Sequence, residues 1–439
     1  MLVQFKIKNF LSIKDEQVFS MVADSAIKEK DMDDTNGVFD VSDNLSLLKS
    51  AVIYGANASG KSNFIRTFFT YQAMIVHSAN LTELQEITAI VPFLLNSKTV
   101  DKPSVFEAVF IYDAVQYRYG FEVSKKGITE EWLFVKAQRE TQVFYRDKNG
   151  IEINPKYKIL IEIRDKKMLH NKSLLVSKGA VFNDEISTNI LKWANTIFAA
   201  SGVSGGAFNY DTTISMLQDP KGKTAVVELM KLADFGITDL IVEEKEGSSM
   251  GVTFGLNAAG SSIQPEVKHE KTMLKEVKAR RNVLNEKGQI VGMANFVFLQ
   301  NESEGTKQFF SLIGPFLQAL KNGSVMVVDE IDIKLHPLLS QRLVSLFNSK
   351  ETNPKGAQLI FTTHDTNLLD AHIFRRDQVW FAEKDKYGAS TIYPLTDYKP
   401  RNDMNLEKNY IAGKFGAIPY LGDFDLLIKE VLTHKRAKK

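Results

Sequence analysis

The chain has 439 residues, 44% hydrophobic and 25% charged, enough for two or three domains or one core carrying a large insertion. A formal net charge of +2 gives no global reason to bind nucleic acid, and zero cysteines exclude disulfides, thiolate zinc sites and a cysteine nucleophile. A cysteine-free composition fits a cytoplasmic protein. No apolar run reaches 18 residues, so no membrane span is expected. The first eight residues alternate like a strand and lack signal-peptide architecture.

In chain order, residues 1–23 predict two strands, with Val3, Phe5 and Ile7 alternating against polar neighbours and the second strand over Val18 to Val22. Residues 24–49 are polar and predict a loop. Ser50 to Tyr54 reads as a buried strand, and Ser62 onward as a helix reaching about His77. Residues 104–146 predict an antiparallel meander with turns at Asp113 to Gln116 and Lys125 to Gly127. In 178–290, helices are expected at Glu185 to Ala200 and Thr224 to Ala233, and strands at Ile237 to Val242 and Gly251 to Leu256. Residues 266–288 read as a solvated helix or an exposed strand pair. No heptad pattern supports a coiled-coil arm. Strong patterning returns with a strand at Asn295 to Leu299, a helix at Gly305 to Leu320 interrupted by Pro315, and a strand at Ser324 to Val328. A helix at Pro337 to Phe347, a strand at Gln358 to Phe361 and a helix starting at Asn367 to Ala371 follow. Apolar strands alternating with helices predict a mostly parallel sheet covered on both faces, an α/β fold.

Residues 55–62, Gly-Ala-Asn-Ala-Ser-Gly-Lys-Ser, match the phosphate-binding pattern G-x-x-x-x-G-K-[ST] between a strand and a helix N-terminus. Gly55 and Gly60 would let the backbone curl around phosphates. Lys61 would reach the β- and γ-phosphates, and the Ser62 hydroxyl would ligate Mg²⁺. Four apolar residues run into Asp329-Glu330, a Walker B pattern. Asp329 would hold Mg²⁺ and Glu330 would act as general base on the attacking water. Ser303-Glu304-Gly305-Thr306-Lys307 lies between a predicted strand and helix, with Ser303 a good N-cap. A plain helix cap is the other reading of that segment. Thr363-His364-Asp365 ends the next strand, where a His can hydrogen-bond a γ-phosphate; a satisfied structural His, or the His-Asp pair of a metal site, is the other reading. Ile331 to Pro337, including Asp332 and His336, follows the Walker B pair. No Asn-Lys-x-Asp guanine motif is present.

Together, Asn9-Phe10-Leu11-Ser12-Ile13, Gly55 to Ser62, Ser303 to Lys307, Val327 to His336, Thr363-His364 and Gly413 to Pro419 resemble the SMC/ABC-related ATPases. Within these they resemble the bacterial AAA-ATPase-like family that includes RloA, the AbiL ATPase, the ATPase of PARIS systems and OLD ATPase heads. The resemblance implies an ABC-type head in which residues 55–62 and Asn63 bind ATP. Ser303, Glu304, Gly305 and Thr306 would be a signature acting on a second copy. Asp332 and His336 would lie in a D-loop crossing between copies, and His364 would sense the γ-phosphate. It implies an N-terminal lobe over 1–177, an inserted arm or partner region over 178–290 and a C-terminal lobe over 291–439. It further implies ATP hydrolysis by paired heads in anti-phage defence or abortive infection, a phage-derived trigger, and a separate effector such as a TOPRIM-like nuclease or another toxin. A glutamine for the Q-loop is not evident; Ser177 and Asn183 lie in roughly the right region.

Two other functions compete. An OLD-type nuclease would use Asp423 and Asp425, although the preceding Pro419 to Gly422 is a poor strand. An SMC-like DNA-repair ATPase would need a basic groove, for which Lys268, Lys271, Lys275, Lys278, Arg280 and Arg281 form the dense basic run. The same run also reads as a solvated face. The basic C-terminal segment from His434 to Lys439 reads as a solvated tail.

Overall fold

The computed structural model describes residues 1–27, 37–201, 207–256, 263–370, 372–401, 404–419 and 422–434. Residues 28–36 of the loop predicted over 24–49, Ala371, Tyr420, Leu421 and the basic segment after His434 lie outside them, as do the side chains of Lys268 and Lys271. The chain divides into two compact units. One comprises Met1–Ala199, Ala319–Asp332 and Ser340–Lys439; the other comprises Ala200–Gln318 and Ile333–Leu339.

The larger unit holds two sheets and a small hairpin. Strands β1 (Leu2–Lys8) and β2 (Gln17–Ser20) match the expected N-terminal pair. Where a loop was expected before residue 49, β3 (Val38–Ser42) and β4 (Leu45–Leu48) form a hairpin. Its polar residues obscure the pattern, yet Leu47 and Leu48 are buried. Strand β5 (Ser50–Tyr54), buried throughout, leads to helix α1 (Lys61–His77). The meander is β6 (Ser104–Tyr112), β7 (Val115–Ser124), β8 (Gly127–Lys136), β9 (Glu140–Asp147) and β10 (Gly150–Ile153). With β1 and β2 it makes a seven-stranded antiparallel sheet. Its inward Phe106, Phe110, Tyr119 and Phe121 share a core with Phe64, Phe68 and Tyr71 of α1. Helices α2 (Lys158–Asp165), α3 (Leu175–Val181) and α4 (Glu185–Ala194) follow. The helix expected to run to Ala200 stops at α4, and β11 (Ile197–Ser201) succeeds it.

The smaller unit contains α5 (Ala207–Leu217), α6 (Pro220–Leu232) and a three-stranded antiparallel sheet. That sheet is β12 (Asp239–Leu256), β13 (Ile263–Leu284) and β14 (Ile290–Val297). The two strands expected within 237–256 are one, and the basic run belongs to a strand. Cross-strand ion pairs such as Lys278–Glu243 at 2.6 Å and Lys245–Glu276 at 2.5 Å accompany this polar ladder, which hides its period from hydropathy. The strand expected at Asn295 to Leu299 is the end of β14, and α7 (Phe298–Asn301) begins directly after it. Helix α8 (Glu304–Asn322) continues through Pro315. Immediately before it, the Thr213 hydroxyl accepts from Gly314 N–H and donates to Phe310 C=O.

The second sheet of the larger unit has the order β11-β15-β16-β5-β17-β18. Its remaining members are β15 (Val325–Asp329), β16 (Gln358–Thr362), β17 (Val379–Lys384) and β18 (Ser390–Pro394). Strands β15, β16, β5 and β17 are mutually parallel, and β18 closes the edge antiparallel. Helix α9 (Pro337–Asn348) lies between β15 and β16 in the chain. The helix expected from Asn367 is only a 3₁₀ turn over Thr366–Leu368, because Asp365 accepts the Asn367 N–H and closes the turn locally. Helices α10 (Leu406–Ile411) and α11 (Phe424–His434) end the description. Tyr410 and Phe415 pack on Phe381, and Tyr410 also on Tyr54, so the Gly413–Pro419 segment backs the strands that carry the site. No described helix is long and apolar enough to cross a membrane.

Candidate nucleotide site

The C-terminal ends of the four parallel strands converge, the place where open α/β sheets bind ligands. Gly55 follows β5, Asp329 ends β15 before Glu330, Thr363-His364 follows β16, and Lys384 ends β17. A cavity of about 460 Å³ is lined by residues 57–63, Glu330, His364 and Lys384.

The phosphate-type loop is held from three sides. Lys61 is buried, and its Nζ donates to Gly55 O at 2.8 Å and Ala56 O at 3.1 Å. Ser59 N–H donates to Ala56 O, and Ala58 has φ 63°, which tightens the turn. Gly60 has φ 106°, and a Cβ there would lie 2.2 Å from Ser390 Oγ, so only glycine fits. Ser390 Oγ donates to Ser12 Oγ at 2.9 Å, and Asn63 Nδ2 donates to the same Ser12 Oγ at 2.9 Å. Asn9 turns its own segment with φ 54°, donating to Thr99, Lys102 and Pro103 carbonyls while accepting Phe93 N–H. The Asn9–Ile13 motif thus braces the loop from the neighbouring sheet.

The acidic side of the site is organised by Thr362. Its Oγ1 donates to Asp329 Oδ1 at 2.7 Å and accepts Glu330 N–H at 2.7 Å. Glu330 has φ 53°, a left-handed conformation that costs a non-glycine residue about 1 kcal/mol. Its carboxylate lies 3.8 Å from His364 Nε2. Burial, reinforced by Asp329, raises the Glu330 pKa, opposed by Lys61. Burial lowers His364, and nearby Lys61 adds to the effect, which favours a neutral imidazole. Asp332 Oδ2 accepts His364 N–H at 3.4 Å.

Ser303 to Thr306 and Ile333 to His336, the segments expected as signature and D-loop, belong to the smaller unit. Ser303 Oγ accepts Thr306 N–H at 3.1 Å and exchanges a hydrogen bond with the Thr306 hydroxyl at 2.8 Å, an N-cap of α8. Glu304 pairs with Lys307 at 3.0 Å and Lys334 at 2.9 Å, and these hydrogen bonds hold its pKa down at about 2. A Cβ on Gly305 would lie 2.7 Å from Lys334 O, so glycine there admits the backbone at Lys334. His336 Nδ1 accepts Leu338 N–H at the start of α9.

Several features fit a nucleoside triphosphate with Mg²⁺. The first turn of α1 presents backbone N–H groups without intrahelical partners. Ser59 Oγ is buried without a partner. Among the described residues no group of three or more His, Cys, Asp or Glu could hold a metal alone. Mg²⁺ commonly takes one or two protein ligands and completes its shell with water and phosphate, and Ser62 with Asp329 would suffice.

Residues 50–174 and 222–370, more than half of the chain, match the model of the family described as "AAA domain, putative AbiEii toxin, Type IV TA system". The chain belongs to this family. Its larger unit is an α/β fold in which the parallel sheet carries the phosphate-type loop and the antiparallel sheet shares a core with it. Among solved structures, the SMC head domain from Thermotoga maritima is 14% identical, covering 90% of this chain and 98% of that one with a TM-score of 0.38. No curated protein matches the sequence.

Sequence reasoning missed Thr362 and Lys384. The first looked like an ordinary strand residue, and the second lies on a strand that was not predicted. Neither region proposed for the Q-loop lines the cavity. Ser177 Oγ instead donates to Ile75 O at the end of α1. The described members of the basic run have partners: Lys275 with Gln218, Lys278 with Glu243, Arg280 with Asp239 and Arg281 with Glu302. Asp423 and Asp425 flank the first residue of α11 and do not end a strand.

Proposed function

We propose that this ATPase-family chain binds and hydrolyses ATP, pairs with a second copy through ATP-sandwiched heads, and acts as an ATP-gated sensor or scaffold controlling a separate effector in anti-phage defence. The observation that carries the catalytic part is the convergence of Lys61, Glu330 and His364 on one cavity at the ends of adjacent parallel strands. Lys61 would exchange its loop carbonyls for phosphate oxygens. Glu330 would take the proton of the attacking water, and its raised pKa makes it a stronger base than an ordinary carboxylate. Neutral His364 would donate a hydrogen bond to the γ-phosphate. Mg²⁺, when bound, neutralises phosphate charge.

The toxin–antitoxin wording of the family description supports a defence setting. An effector partner is supported by α11, where Phe424, Leu427, Ile428, Val431 and Leu432 form an exposed apolar stripe at helical spacing. A DNA-repair role draws less support, since the described cations of the basic run are partnered. A self-contained nuclease draws less still, given the helical setting of Asp423 and Asp425.

The test is Glu330→Gln. The variant should bind ATP, hydrolyse it at least about 100-fold more slowly, and accumulate as an ATP-dependent dimer in light scattering. Wild-type turnover in this variant would remove Glu330 as the base.

A further inference from the structure

The nucleotide cavity holds a second lysine that no motif accounts for. Lys384 is the last residue of β17, the strand running parallel to β5 with Phe381 opposite Tyr54. Three further residues carry β17 about 10 Å past that pair, alongside the loop that begins at Gly55. On the other side Lys384 pairs with Ser390, the residue that contacts Gly60 and Ser12. The β17–β18 hairpin therefore forms a wall against which the phosphate loop is seated, and Lys384 opens from that wall into the cavity.

Its surroundings leave it free for an anion. Among the described residues no carboxylate lies within ion-pair distance of Lys384. The cavity's carboxylate, Glu330, faces His364. Lys61 is buried and bonded to two carbonyls of its own loop, whereas Lys384 is exposed at the mouth. A polyphosphate entering the cavity would meet Lys384 without prior rupture of an ion pair to any described residue.

We propose that Lys384 is a second cationic contact for the polyphosphate of the bound nucleotide, made within the same chain. This deepens the nucleotide-binding reading and rests on it. A charge-assisted hydrogen bond at a partly solvated site contributes about tenfold in affinity.

The experiment measures binding of Mg-ATP and of inorganic tripolyphosphate to wild type, Lys384→Ala, Lys384→Arg and Lys61→Ala by calorimetry. Lys384→Ala should weaken both ligands about tenfold at unchanged thermal stability, and Lys384→Arg should restore most of it. If Lys384→Ala binds both ligands as wild type does while Lys61→Ala binds neither, the proposal fails and the phosphate-loop reading stands. A loss for ATP alone, with tripolyphosphate unaffected, also overturns it, because the contact would then be to base or ribose. If the wild type binds neither ligand, the nucleotide reading itself fails and this proposal with it.

Discussion

The hydroxyl of Thr362 lies 2.7 Å from Asp329 Oδ1 and is also the acceptor for the backbone N–H of Glu330. One side chain on β16 thereby sets both carboxylates at the end of β15, and it holds Glu330 in its left-handed backbone conformation. Thr362→Val keeps the shape and removes both hydrogen bonds. It leaves a buried carboxylate oxygen and a peptide N–H without their partner, a loss of about 1–3 kcal/mol in stability. If Asp329 holds Mg²⁺ as proposed, the variant should also lose about 10–100-fold in Mg²⁺-dependent turnover. Thr362→Ser should retain most of both. Mg²⁺ titration of ATPase activity and a melting curve read the two effects. Unaltered Mg²⁺ dependence in Thr362→Val would show that the bridge does not position the metal site.

Lys61 makes a pH-dependent prediction. Burial lowers its pKa to about 8, against the opposing pull of Glu330, Asp329 and Asp332. About half of the ammonium groups are then deprotonated at pH 8 in the free protein. Bound phosphates favour the charged form and would raise the value again. Binding of ATP at pH 8 should take up about half a proton, and at pH 7 close to none. Calorimetry in buffers of differing ionisation enthalpy measures this, and binding heats independent of buffer at pH 8 would contradict it. The stability sign follows from the same shift. The folded value lies below the ordinary 10.5, so between about pH 8 and 10.5 the unfolded chain holds more protons. The contribution of Lys61 to the stability of the free protein therefore rises with pH across that window.

The legibility of this site in sequence follows from how local each device is. The loop at Gly55 to Ser62 and the pair Asp329-Glu330 are contiguous, and their apolar strands are short and buried, so spacing alone finds them. Thr362 acts across two strands, and nothing in Phe361-Thr362-Thr363 separates it from a strand terminus. Strands β17 and β18 escaped because Val379 to Lys384 has neither strict alternation nor a long apolar run, being buried on both faces and then abruptly charged. In β12 and β13 the pairing involves ion pairs such as Lys278–Glu243, which hydropathy does not record. Gly305 could be read as an opening for an anion. The Lys334 carbonyl gives it a packing reason that only the fold reveals.

Ser303 allows head pairing to be separated from nucleotide binding. Its hydroxyl caps α8 through Thr306, and its side chain is exposed. Under the proposed trans role, Ser303→Arg places a large cation where a second copy must approach. ATP affinity should stay within about twofold, while ATP-dependent dimerisation is lost. Ser303→Ala supplies the control, since it removes the cap at about 1 kcal/mol without adding bulk. Sedimentation of each variant in a Glu330→Gln background, with and without ATP, distinguishes them. A Ser303→Arg protein that still dimerises on ATP would place the signature away from the interface.

Glu131 is a structural counterpart to the charged site. It is fully buried on β8, and its carboxylate accepts from the Tyr119 hydroxyl at 2.9 Å, Leu175 N–H at 2.8 Å and Val176 N–H at 3.2 Å. Arg146 approaches to 3.4 Å. Burial raises the carboxyl's pKa, while Arg146 and the two N–H groups at the start of α3 oppose the rise. Two residues further along, Ser177 ties α3 to the last turn of α1, the helix that opens with Lys61. Glu131→Ala would leave Arg146 and two helix N–H groups facing a cavity. The expected loss is about 3–5 kcal/mol, the cost of removing one partner from a buried charged network. Glu131→Gln should lose less, because one oxygen can still accept from α3 while its amide group opposes Arg146. Denaturant unfolding measures both, with an unchanged slope confirming an effect on the folded state. A Glu131→Ala protein within 0.5 kcal/mol of wild type would mean that water replaces the carboxylate and that α3 does not depend on it.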